Sequence, residues 1–201
     1  MSVNAVSGPK GLVDDLREYC NQFEAVKIDA ENLLVGLNDL QFNWRPSSNK
    51  WSMAECIDHL IVTGRLSIAN IYHSISDARS RGLLSLGPFR YSLIEKFFVR
   101  AMEPQSRMKF KAPKVYVPSP NHSCAELRTS FIKLQDEFLL CLKESDGIDL
   151  SRVKVSNPVS KWIRFSLGQE FAFNTAHERR HLWQARQILS HPEFPGGCKS
   201  E

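Results

Sequence analysis

The sequence predicts an all-α fold, a four-helix bundle with a long crossover between its second and third helices. Three observations carry that expectation. Apolar residues recur at spacings of three and four over four separate stretches, each several turns long. Three of those stretches open on a Ser followed three residues later by Glu or Gln, the pattern of a capping box. Little argues for a sheet; only 114–117 and 152–155 read as short extended pieces. Four long amphipathic helices in one compact chain bury their apolar stripes most simply against one another.

Residues 1–9 read as a loose tail ending at Gly8-Pro9, and 193–201 as a second tail, which leaves 10–192 as a single domain. A first helix runs from about residue 10 to 36. Its apolar face is Leu12, Leu16, Tyr19, Phe23, Val26, Ala30, Leu33, Leu34 and Leu37, and Gly36 and Asn38 mark its end. A linker, 40–50, carries Trp44-Arg45-Pro46. The second helix starts at Ser52 with Glu55 three residues on, continues through Ile57, Leu60, Ile61, Gly64, Ile68, Ile71 and Ile75, and stops at Arg81-Gly82.

The stretch 82–120 is irregular. Residues 93–102 form a short helix, but Pro104, Pro113, Pro118 and Pro120 forbid regular helix beyond it. A connection this long is usually functional or disordered. Phe110, Val115, Tyr116 and Val117 indicate that part of it packs, and it is expected at the mouth of a pocket. Core packing is also the expectation for Phe97, Phe98 and Trp162. The third helix starts at Ser123 with Glu126, continues through Leu127, Phe131, Leu134, Phe138 and Leu142, and stops at Gly147. The fourth starts at Ser166 with Gln169 and ends before Pro192; Leu167, Phe171, Asn174, His177, His181, Gln184 and Ile188 share one face.

Bulk composition narrows the function classes. A length of 201 residues suits one domain, and 42% hydrophobic with 24% charged residues is ordinary for a globular chain. The net charge of +4 is too small to imply nucleic acid. No stretch approaches the roughly 20 apolar residues of a membrane span, and the first ten residues hold no apolar signal segment. Five cysteines, odd in number and without a C-x-x-C pair, point to free thiols and a reducing cytoplasm.

Three histidines stand out. His177 and His181 lie at i, i+4, so both imidazoles leave one helix face roughly 5–6 Å apart at Cβ. That spacing can chelate a divalent metal. The same spacing also describes two surface histidines on a helix rim, and the pattern alone does not decide between them. Burial on a face shared with Leu167, Phe171 and Ile188 costs free energy unless the ring nitrogens find partners, which a metal supplies. Asn174, a turn before His177, and Gln184, a turn after His181, are candidate pocket or supporting groups. His59 sits inside the second helix; alone it reads as a core or rim histidine. Cys56 shares its side, and Glu55 can reach the site or complete the cap with Ser52, the cap being the stronger reading. His73, His122 and His191 read as surface or capping residues.

The string Lys50-Trp51-Ser52-x-x-Glu55-x-x-x-His59-Leu60, preceded by Trp44-Arg45-Pro46 and followed much later by His177-x-x-x-His181-Leu182-x-Gln184, resembles the DinB/YfiT-like superfamily. The resemblance covers nearly the whole chain. It implies a four-helix bundle with a long crossover. It also implies a divalent metal held by one histidine of the second helix and two of the last, here His59, His177 and His181. Zinc or nickel is the first expectation, with iron, manganese and copper as further candidates for three imidazoles. Some relatives are thiol S-transferases that use a low-molecular-weight thiol and others are described as hydrolases, so a small-molecule substrate is expected. A non-catalytic metal-binding or stress-response bundle is the alternative. The resemblance further implies a homodimer.

Overall fold

The computed structural model of the chain describes residues 12–104, 106, 108, 112–156 and 164–196. Phe110, Trp162 and Cys198 lie outside the described residues. The helices are α1 (Asp14–Leu34), α2 (Asp39–Asn43), α3 (Met53–Ser80), α4 (Leu93–Met102), α5 (Cys124–Glu144) and α6 (Leu167–Leu189). A single 3-10 turn spans Lys114–Tyr116. The strands β1 (Lys154–Ser156) and β2 (Arg164–Ser166) pair antiparallel, with Val155 opposite Phe165.

The four long helices form the bundle. Helices α1 and α3 each pack on both α5 and α6. Their buried stripes are the ones the three-four spacing picks out. Phe23 of α1 stacks on Phe138 of α5 with ring centroids 4.6 Å apart, and Phe171 of α6 meets Phe23 edge-on at 6.4 Å. Gly64 lets α3 and α5 approach closely, since a Cβ there would lie 2.7 Å from Leu134 Cδ2. No helix among the described residues is long and apolar enough to cross a membrane.

The crossover between α3 and α5 contains α4, which lies against α6. Phe97 and Phe98 do not pack in the core as expected: they are 56% and 36% exposed. Helix α4 faces inward through Glu95 and Ala101, which leaves Leu93, Ile94 and Phe97 outside. Residues 114–116 form the 3-10 turn rather than an extended piece. The expected linker after α1 contains α2, with a full capping box between Asn38 and Gln41.

Of the three expected capping boxes, Ser52 with Glu55 is formed. Ser123 and Ser166 stand at the starts of α5 and α6, but neither side chain caps. Carboxylates from elsewhere take amides there instead. Asp39 of α2 accepts the Cys124 amide at 2.8 Å, and Glu95 of α4 accepts the Ser166 amide at 2.6 Å. A carboxylate at a helix N-terminus is favoured by the exposed amides and the helix dipole. Ser92 with Glu95 makes a further box that opens α4.

Candidate metal centre

Residues around the start of α3 hold its first turn rigidly. Ser52 Oγ accepts the Glu55 amide at 3.1 Å, and Glu55 Oε2 accepts the Ser52 amide at 2.8 Å. Arg45 donates to both oxygens of the same carboxylate. Glu55 is thereby committed to the cap and to Arg45. Cys56 is 1% exposed, and burial pushes its thiol up to about 12. Among the described residues, the group able to hold a metal ion is His59, His177 and His181, without Glu55 or Cys56.

One potential ligand atom from each histidine lies within 4.8 Å of the others. The ring centroids are 4.7 Å apart for His59 and His181, 4.7 Å for His177 and His181, and 5.1 Å for His59 and His177. His59 reaches across from α3, and the other two descend one turn apart on α6. Trp51 walls the group, 5.0 Å from the His59 ring and 5.7 Å from that of His181. Phe173, one turn before His177, lies 6.2 Å from its ring.

The hydrogen bonding of His59 fixes which nitrogen faces its neighbours. His59 Nδ1 lies 2.6 Å from the Tyr116 carbonyl oxygen, an acceptor only, so Nδ1 carries the proton. In the neutral ring Nε2 then bears the lone pair, and it lies 3.2 Å from His177 Nε2. His181 Nδ1 is buried and has no partner. Burial lowers the pKa of all three rings: His59 below its ordinary value, His177 to about 3, and His181 well below. Mutual repulsion adds to this for His177 and His181, and Arg180 lowers both further. The rings are therefore uncharged at neutral pH, the form that coordinates. A divalent ion fits this donor set: three neutral imidazoles, those of His59 and His181 buried and that of His177 half-buried, with few protein partners of their own.

The two other candidate residues differ. Asn174 Nδ2 donates to Ser67 Oγ at 2.9 Å and to the Glu170 carbonyl at 2.8 Å, which ties α6 to α3. Gln184 favours the charged form of His181, opposing its other surroundings, without an ordinary hydrogen bond to Nδ1. The Tyr116 carbonyl was not legible in the sequence, because a backbone acceptor leaves no side-chain signature. Trp51 could have been found, since it stands eight residues before His59 in the same motif. Two surface hollows among the described residues lie away from the histidines: one of about 280 Å³ is lined by Asp14, Asp15, Glu18 and Tyr19, another of about 260 Å³ by Asn32, Leu33, Arg186, Leu189 and Ser190.

A sequence model of one protein family, the DinB superfamily, matches residues 22–185. The uncharacterized protein YuaE of Bacillus subtilis (strain 168) is 25% identical over 167 residues, covering 83% of this chain and 94% of its own length. No solved structure matches.

Proposed function

The chain belongs to the DinB superfamily, and from that premise we propose that it is a divalent-metal-dependent enzyme acting on a small molecule by thiol S-transfer or hydrolysis. The observation that carries this reading is the uncharged trio His59, His177 and His181, two of them buried and His177 half-buried, whose potential ligand atoms lie within 4.8 Å of one another. These three residues would hold the ion, with zinc or nickel suited to imidazole nitrogen. Bound there, the ion supplies Lewis acidity that lowers the pKa of a thiol or a water.

The protein's own residues set the conditions. The Tyr116 carbonyl keeps the His59 proton on Nδ1. Trp51 and Phe173 flank the imidazoles with aromatic surface. The described cysteines, Cys20, Cys56, Cys124 and Cys141, are all buried, and burial raises each thiol above its ordinary value. A thiol so protonated is a poor nucleophile. In the S-transfer branch the reacting thiol is therefore a low-molecular-weight co-substrate rather than one of the described cysteines.

The test is metal content in protein purified without a histidine tag. Wild type is expected to carry one zinc or nickel per chain, and His177→Ala to lose most of it. Full metal in His177→Ala would overturn the assignment. A non-catalytic metal-binding bundle, in which the ion stabilises the fold, is the second reading. It predicts that added thiols leave the visible spectrum of the cobalt-substituted protein unchanged, whereas the S-transfer branch of the enzyme reading predicts a new thiolate charge-transfer band.

A further inference from the structure

The connection between α4 and α5 returns to the bundle as a strap beside α2 and α3. Asn43 of α2 clasps the His122 backbone: its Oδ1 accepts the amide at 2.9 Å and its Nδ2 donates to the carbonyl at 2.7 Å. Asp58 of α3 holds the strap a few residues earlier. Its Oδ2 accepts the Ser119 amide at 2.9 Å and the Ser119 hydroxyl at 3.2 Å.

Ser119, His122 and Asp58 together invite comparison with a nucleophilic triad, but the geometry excludes one. His122 Nε2 lies 3.2 Å from Ser119 Oγ and 3.5 Å from Asp58 Oδ2, so both partners converge on the same ring nitrogen. A triad needs the carboxylate on the opposite nitrogen. Here His122 Nε2 is also 2.8 Å from the Ser119 carbonyl oxygen. The cluster is a lock on the backbone of residue 119.

What the lock holds is next to the metal centre. Tyr116, three residues before Ser119, accepts the His59 Nδ1 proton at 2.6 Å. Asp58 and His59 are consecutive on α3, so adjacent residues of one helix grip the two ends of the stretch 116–119. We propose that the Asp58–Ser119 lock is a positioning device for the three-histidine centre, holding the Tyr116 carbonyl where it fixes the His59 tautomer. This rests on the metal-binding reading above.

The physical argument is direct. A neutral imidazole carries one proton, and a fixed acceptor at Nδ1 decides where it sits. With the proton at Nδ1, His59 Nε2 keeps its lone pair toward His177. Were the carbonyl to drift, part of the population would carry the proton on Nε2 and could not ligate through it. Groups that orient metal-binding histidines are worth roughly 10–100-fold in metal affinity. Asp58 acts through one intermediate, so the lower end applies, about tenfold.

The experiment uses full-length, untagged, metal-free protein labelled with nitrogen-15. Long-range proton–nitrogen spectra read the His59 tautomer, and competition titration reads the affinity for zinc. Wild type is expected to show the proton on Nδ1 alone. Asp58→Ala is expected to show mixed tautomers and about tenfold weaker zinc binding, and Asp58→Asn, which keeps an oxygen for the same two donors, to recover most of both. Should Asp58→Ala fail to fold, Asn43→Ala loosens the same strap from α2 and is expected to mix the tautomers. A folded Asp58→Ala or Asn43→Ala with the wild-type tautomer and zinc affinity overturns the proposal. If wild type binds no zinc at all, the metal reading fails, while the tautomer spectra still decide the lock.

Discussion

Glu178 is one residue past His177 but points to a different problem. It is 3% exposed, and its Oε1 accepts from Gln135 Nε2 at 2.9 Å. Glu178 Oε2 and Gln135 Oε1 are both buried without a partner. A proton on Glu178 supplies the donor that this pair lacks, and burial pushes its pKa up to about 8. The sign of the linkage follows. From the ordinary value of 4.5 up to about 8, the folded protein binds more protons than the unfolded chain. Stability therefore falls as pH rises through that window and levels off above it. Glu178→Gln keeps the shape and removes the titration. Denaturant unfolding of metal-free protein at several pH values is expected to give a flatter profile for Glu178→Gln than for wild type between pH 5 and pH 8. At this scale the sequence was partly legible. The spacing of His177 and His181 is written in the chain, whereas the acceptor for His59 is a carbonyl 57 residues away, which no local pattern encodes.

Elements join through carboxylates that a local reading assigns elsewhere. Glu95 caps its own helix with Ser92, accepts the Ser166 amide at the start of α6, and pairs with Lys154 of β1 at 3.0 Å. Burial alone would raise its pKa, but the Ser166 amide, Lys154, and the Ser92 hydroxyl and amide outweigh it and hold the value at about 2. A depressed carboxyl stabilises the fold above its unfolded pKa and loses that contribution as pH falls, here between about 4.5 and about 2. Glu95→Gln is expected to lower stability at pH 7 and to lose less than wild type on acidification, as read by thermal unfolding at pH 7, 4 and 2.5. The capping boxes show why local signals reach only part way. Ser52 and Glu55 lie close in the chain and no competitor intervenes. Ser123 and Ser166 carry the same pattern, yet Asp39 and Glu95 arrive from other helices and take the work. The Ser92-x-x-Glu95 signal is equally strong in the sequence and stands beside the apolar residues that mark α4.

The whole molecule separates a core that holds the bundle from a site that uses it. Aromatic packing among α1, α5 and α6 centres on Phe23, which is fully buried. The histidines come from α3 and α6. Phe23→Ala is expected to cost about 3–5 kcal/mol in chemical denaturation while leaving the zinc-to-protein ratio of the folded fraction unchanged. Loss of metal in step with stability would show that the two are not separable. The bundle itself was legible because apolar spacing is a property of each helix alone. The outward face of α4 was not, since exposure depends on where the crossover lays the helix, and Phe97 and Phe98 look the same in sequence whether buried or exposed.

The central claim is that His59, His177 and His181 coordinate one metal together, and X-ray absorption on the zinc-loaded, untagged protein tests it most directly. The expected spectrum shows three imidazole nitrogens near 2.0–2.1 Å, with no sulfur, falling to two in His59→Ala. A sulfur scatterer near 2.3 Å, or an unchanged imidazole count in His59→Ala, would contradict it.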